Sequence, residues 1–190
     1  DCAQAFLSGL LHASGTITKN SEGIRVDVVT DFKEIFPYLN KLISRLYGRE
    51  LSLEISDDYI INKTTYYRIK FPVDISLDIL KDCSIIPPSE ELIFLSNIDE
   101  NLIADDETKK AFVKGTYIGC ATSSIRLSEL GSQSPTTGYH VEFASHKREF
   151  LEGLQKILMH FEITSKLSSR KKIFVLYLKD SEAIKDLLAL

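Results

Sequence analysis

The sequence predicts an α+β protein built from two similar halves, each an αββαββα unit whose antiparallel sheet carries its helices on one face. Three observations predict it. A nine-residue stretch occurs twice, Leu7–Gly15 and Val113–Ala121, each copy preceded by Ala-Phe (Ala5-Phe6 and Ala111-Phe112). The likeness continues downstream: Gly23-Ile24-Arg25-Val26-Asp27 matches Gly138-Tyr139-His140-Val141-Glu142, Lys33-Glu34 matches Arg148-Glu149, and Leu39, Lys41 and Leu42 match Leu154, Lys156 and Ile157. Finally, the apolar pattern switches between helical and strand periods in the same order in both halves. The offset between copies grows from 106 to 115, which puts an insertion, Glu129–Thr137, after the second motif; its Gly, Ser, Pro and Thr content reads as a loop.

The elements follow in order. An apolar helix carries each motif, at about Cys2–Ala13 and Asp106–Gly119. A short strand comes next (Thr16–Thr18; Ser124–Leu127), then a β-branched one (Ile24–Thr30; Tyr139–Ala144). An amphipathic helix is expected where Phe32, Ile35, Phe36, Leu39, Leu42, Ile43 and Leu46 recur at helical spacing, and its counterpart carries Phe150, Leu151, Leu154, Ile157, Leu158 and Phe161. Two further strands (Leu51–Ile55 and Thr65–Phe71; Thr164–Leu167 and Ile173–Leu178) and a closing helix (Ile75–Lys81; Ser181–Leu190) end each half. The expected boundaries are residues 1–86 for the first half, 87–105 for an acidic linker and 106–190 for the second half. Seven acids between Ser89 and Lys110 make the linker read as a solvated connection.

Composition narrows the function. A chain of 190 residues, 44% hydrophobic and 26% charged, is an ordinary soluble globular composition. No run approaches the ~20 apolar residues of a membrane span, and no signal peptide is visible. The expected location is the cytoplasm. The start at Asp1, without an initiator Met, and the end inside an apolar helical pattern read as a piece of a longer protein. Cys2, Cys83 and Cys120 are odd in number and far apart, so free thiols are expected and a zinc site is not. The net charge of −4 argues against a strongly basic nucleic-acid binder. His12, His140, His146 and His160 show no ligand spacing. His140 and His146 read as surface residues, and His12 with Cys120 would be too few ligands for zinc. No metal or other cofactor is expected.

Gly9 and Gly115 lie inside otherwise apolar helices, where a glycine costs about 1 kcal/mol relative to alanine. Matched placement in a repeat calls for a reason, and close backbone approach supplies one. The two motif helices are expected to pack on each other along Gly9, Ala13, Gly115 and Gly119, forming the seam between halves.

The order Leu, small, Gly, Leu, then a small residue and a closing Gly resembles the LAGLIDADG motif of homing endonucleases. In that family the eighth motif position is an acid that holds the catalytic divalent metal. Here the eighth positions are Ser14 and Cys120, and the sixth are His12 and Ile118. A hydroxyl and a soft thiol do not replace hard carboxylate ligands for Mg²⁺. The resemblance therefore implies the fold without cleavage, and the expectation is a protein that is not an enzyme. It also implies a saddle over duplex DNA formed by the sheet faces opposite the helices. Strand alternation gives that saddle a mixed sign: Tyr66, Arg68 and Lys70, with Arg25 beside Asp27, Ser52 beside Glu54, and His140 beside Glu142. Lys19, Arg126, Lys166 and a basic hairpin tip, Arg170-Lys171-Lys172, add scattered charge. Candidate DNA contacts are Lys19, Arg25, Arg68, Lys70, Arg126, Arg170, Lys171 and Lys172.

Several segments resemble the WhiA family, a non-catalytic branch of this fold: Asn97-Ile98-Asp99-Glu100, Lys110-Ala111-Phe112-Val113-Lys114-Gly115, Gly138-Tyr139-His140-Val141-Glu142-Phe143, and Ser168 through Lys179 with its Arg-Lys-Lys and Tyr-Leu-Lys pieces. The resemblance spans essentially the whole chain. It implies a bacterial, nucleoid-associated transcriptional regulator acting in sporulation or in cell division and chromosome segregation. It also implies a C-terminal helix-turn-helix domain beyond Leu190 that makes the main DNA contacts. One departure is Gly119-Cys120-Ala121-Thr122-Ser123, where family members usually keep a Gly-Gly-Ser-like end; it weakens any carry-over of function to that loop. The domain itself is expected to be monomeric and to serve as scaffold, auxiliary DNA contact or partner-binding surface. Regulatory proteins are its possible partners, and an interaction module without DNA contact is the alternative.

Overall fold

The computed structural model describes residues 1–61, 64–89, 91–124 and 140–190. Both halves run in the same order. The first is α1 (Cys2–Ser14), β1 (Gly15–Asn20), β2 (Gly23–Thr30), α2 (Ile35–Tyr47), β3 (Ser52–Ile61), β4 (Thr64–Lys70) and α3 (Val73–Asp82). The second is α4 (Asp106–Cys120), β5 (Ala121–Ser124), β6 (His140–Ser145), α5 (Arg148–His160), β7 (Lys166–Arg170), β8 (Ile173–Leu178) and α6 (Ser181–Ala189). Each half holds a four-stranded antiparallel sheet with the same strand order, β1-β2-β4-β3 and β5-β6-β8-β7. This is the duplicated αββαββα arrangement that the sequence predicts.

Local sequence explains the element ends. The Asp1, Asp105 and Asp180 side chains cap α1, α4 and α6, each accepting from a backbone N–H of the first turn. At Asp105 the bond is reciprocal, because the Thr108 hydroxyl also meets the Asp105 backbone. Gly48 closes α2 in the left-handed region, at φ 65°. The spacing of Phe32 suggests an earlier start for α2, but the structure begins it at Ile35 and leaves Phe32 half exposed. Pro37 accounts for the difference. It falls in the first turn of the observed helix, where no N–H is needed, whereas a start at Phe32 would put it where a helical bond must form. The Thr30 hydroxyl instead accepts from the Phe32 N–H and turns the chain. The strand expected at Ser124–Leu127 starts earlier, at Ala121, directly from the helix end. Residues 125–139, including the Glu129–Thr137 insertion and Arg126, lie outside the described residues.

Two apolar cores result, one per half, and the motif helices feed both. The first gathers Leu7, Leu10, Val26, Leu39, Ile69 and Phe71, and the second Phe112, Val141, Phe143, Phe150, Leu154 and Leu176. Ala5 of α1 belongs to the second core, while Ala111 and Ile118 of α4 pack against the first. The linker is more than a solvated connection. Glu91, Glu100 and Asp105 are exposed, but Ile103 is buried, as are Ile85 and Ile86 just ahead of the linker, and Ser84 donates to the part-buried Asp99 at 2.7 Å. Ile98 lies against Gly153 of α5, so close that a Cβ there would meet it at 2.7 Å. Apolar residues spaced through an acidic stretch supply that anchorage.

Candidate nucleic-acid interface and the motif-helix ends

α1 and α4 cross at their glycines. A Cβ on Gly9 would run into the Phe112 carbonyl oxygen, and one on Gly115 into the Phe6 carbonyl oxygen. These two pairs are counterparts under the repeat, since Phe6 and Phe112 stand at the same motif offset. A Cβ on Gly119 would meet that of Ala13 at 2.6 Å. The helix backbones are therefore in direct contact, a distance that no side chain allows. Thr116 is fully buried at the seam, its hydroxyl turned back to the Phe112 carbonyl at 3.0 Å.

The two helices end side by side: the same Cβ on Gly119 would stand 3.2 Å from the Ser14 hydroxyl oxygen. That hydroxyl donates back to the Leu10 carbonyl at 3.1 Å, one turn earlier in its own helix. The Cys120 thiol is pushed up to about 12 by burial, against a smaller opposing effect of a backbone hydrogen bond with Ala144, so it stays protonated at neutral pH. Neither group offers an anionic oxygen. A divalent cation does not fit this pair, and no cluster of three metal-ligating side chains occurs among the described residues.

The sixth motif positions diverge further. His12 is 4% exposed and lies flat on Phe150 of the other half, ring centroids 5.3 Å apart. Both its ring nitrogens lack a hydrogen-bond partner among the described residues. Burial, with a lesser push from the charge of Lys147, lowers its pKa to about 3. Its counterpart Ile118 packs on the first core.

The outer sheet faces carry the charged candidates. In the first sheet Asp27 is fully buried and its carboxylate accepts from Arg25 Nε at 2.8 Å, Arg25 Nη2 at 3.0 Å, Arg68 Nη1 at 3.3 Å and the Thr18 hydroxyl at 3.5 Å. The bond to Asp27 raises the pKa of Arg25. Lys70 pairs with Glu54. In the second sheet Glu142, at the repeat position of Asp27, receives Arg170 at 2.7 and 3.2 Å and His140 from its own strand. Burial opposes its charge, yet the Arg170 and His140 bonds together hold its carboxyl below the usual range. His140 also tilts over Tyr177.

The candidate contacts thus separate. Arg25, Arg68, Lys70 and Arg170 all lie on outer faces but are bound to carboxylates. Lys19 shares strand parity with Ile17, opposite Val26 and Ile24, so alternation turns it to the helix-bearing side and away from the saddle. Lys171 and Lys172 form the β7–β8 turn, with Lys171 at φ 56° and the Lys172 carbonyl accepting from His146. Arg170 does not belong to that tip but folds back onto the sheet. Sequence reasoning misses the burial of Asp27 and of His12. For Asp27 a signal is present: an acid flanked at i−2 by arginine on a strand pairs along one face.

Comparisons with known proteins bear on the family and the fold. The WhiA N-terminal LAGLIDADG-like domain family matches residues 1–86, and the WhiA LAGLIDADG-like domain family matches residues 123–190. A probable cell division protein WhiA from Clostridium tetani is 28% identical over 189 residues, covering 98% of this chain and 57% of that protein. The crystal structure of the N-terminal LAGLIDADG domain of DUF199/WhiA superposes with a TM-score of 0.66 at 16% identity, over 100% of this chain and 81% of that one. I-DmoI in complex with DNA and Mn superposes with a TM-score of 0.60 at 14% identity, over 97% of this chain and 93% of that one. At these identities the structures establish the fold alone. No helix among the described residues is long and apolar enough to cross a membrane.

Proposed function

Because the chain belongs to the WhiA family, we propose that it is the non-cleaving scaffold domain of a DNA-binding regulator of cell division, one that touches duplex DNA weakly through its outer sheet faces. The observation that carries the reading is the chemistry of the eighth motif positions: a serine bonded to its own helix and a thiol held protonated stand where metal-holding acids would be needed. The name of the Clostridium tetani relative supports the cell-division role; action in sporulation and in transcription, and association with the nucleoid, belong to the same proposal. The chain spans 57% of that relative's length; on this reading the main DNA contacts belong to the helix-turn-helix domain that the family resemblance implies. A partner-binding role has its own support in Leu92, Ile93 and Phe94, consecutive exposed apolar residues on the linker.

The test is direct. The purified domain should leave duplex DNA intact in Mg²⁺ or Mn²⁺ and bind it with a Kd of about 10⁻⁴–10⁻⁶ M at physiological salt, the non-specific range. Metal-dependent cleavage abolished by Ser14→Ala or Cys120→Ala would overturn the non-cleaving reading. A gel shift at nanomolar protein would overturn the weak-contact one.

A further inference from the structure

We infer that Asp27 and Glu142 are the residues that limit the affinity of the saddle for a nucleic-acid backbone, and that removing either carboxylate charge converts its arginines into phosphate contacts. The inference rests on the reading that the outer faces meet duplex DNA. Its ground is a repeated arrangement. Each acid occupies the same place on the second strand of its half, and each is held by a base two residues earlier on its own strand (Arg25, His140) and by an arginine from another strand (Arg68, Arg170). The two pieces that bring in the second arginine differ, since Arg68 lies on β4 and Arg170 on β7. The same neutralisation is therefore reached by two routes on one face.

Each acid acts twice. It occupies N–H donors that a phosphate oxygen would need, because charge-assisted N–H···O⁻ bonds are the strong ones. It also places a negative charge beside the path of the DNA backbone, where like charges oppose association. With Arg25, Arg68, Lys70 and Arg170 engaged, the outer-face and tip cations without an ion pair among the described residues are Lys166, Lys171, Lys172 and Lys179, which lies over the Tyr177 ring, all in the second half.

Glu142→Gln is the cleaner test, because Glu142 keeps some exposure (16%) whereas Asp27 has none. The amide keeps size and one acceptor but gives up the charge. Binding of a short random-sequence duplex to the 190-residue chain should tighten about ten-fold at low salt. The plot of log affinity against log salt should steepen by about 0.9, one additional phosphate contact. Adding Arg170→Ala to Glu142→Gln should reverse both changes. Asp27→Asn should act in the same direction if circular dichroism shows it folded. Asp78→Asn, an exposed acid on α3 away from the saddle, makes the same net-charge change and should leave affinity within about two-fold. Weak binding by the parent with an unchanged slope in Glu142→Gln would overturn the inference and leave the DNA-contact reading standing. So would equal tightening by Asp78→Asn. Absence of binding by parent and variants alike would overturn both.

Discussion

The two halves share a backbone but differ in what they bury at matched positions. On the sheets, Asp27 is sealed under two arginines while Glu142 stays partly open under one arginine and a histidine. On the motif helices, the sixth residue is a buried imidazole in one copy and an isoleucine in the other. At the glycine crossing of the seam the copies agree: Gly9 and Gly115 meet the carbonyls of Phe112 and Phe6 in matching fashion, although beside them Ala13 faces Gly119 and Leu10 has Thr116 as its counterpart. The contrast teaches where the duplication is constrained. Backbone contact leaves no room for any side chain, so the Gly9–Gly115 crossing stays symmetric. A site facing a core or solvent can exchange chemistry as long as volume and charge are balanced.

The largest effect that could break this picture is at the seam. Gly9→Val and Gly115→Val should each abolish cooperative thermal unfolding, since a branched side chain must displace helix backbone rather than a flexible neighbour. A loss above about 5 kcal/mol is expected, beyond the range of ordinary substitutions. The symmetry itself predicts that the two variants fail alike. A folded Gly115→Val domain with a near-parent melting temperature would show that α1 and α4 need not touch.

Next comes the contrast between the two acids. Asp27→Ala leaves Arg25 and Arg68 without their buried counter-charge and should destabilise by roughly 3 kcal/mol, the range for breaking a buried ion pair. Glu142→Ala should cost about 1 kcal/mol or less, because Arg170 is half exposed and returns to water. Urea denaturation of both variants measures the difference. Equal losses would mean that burial of the acid does not govern the strength of the clamp.

Much of this is legible in the sequence, for identifiable reasons. The repeat exposes the duplicated fold, because apolar periodicity and turn residues recur in order, and the paired glycines point to helix contact because a glycine inside an apolar helix has no local benefit. Individual side-chain fates are less legible. Lys19 counts as a candidate contact by charge alone, and its parity with the core-packed Ile17 turns it to the helix-bearing side. The saddle's mixed sign can be read, and so can the Arg25–Asp27 pair along one strand, but not that Arg68 and Arg170 are bound, since they arrive from other strands. The buried state of His12 is invisible, because it depends on α1 reaching across into the other half's core.

That crossing makes His12 the source of the smallest expected effect, and of one that belongs to a single half. Its pKa falls from 6.5 to about 3 on folding, so as pH drops below 6.5 the unfolded chain takes up a proton that the folded chain refuses. The stability this group permits is complete above pH 6.5, declines through the interval down to about pH 3 and is flat below it. Between pH 7 and pH 5 the loss should be about 2 kcal/mol. Carboxylates such as Asp99, whose pKa is lowered by its hydrogen bonds with Ser84 and Asn101, add their own acid loss from about pH 3.8 downward, within the lower part of this interval, so the comparison must be made with a variant lacking the imidazole. His12→Leu supplies it and matches the aliphatic residue, Ile118, at the equivalent site. Its urea midpoint should change little between pH 7 and pH 5, and at pH 7 it should be no less stable than the parent, because two unpartnered ring nitrogens leave the core. If parent and variant lose stability in parallel over that range, His12 takes up its proton in the folded state, and its nitrogens must reach water through the seam.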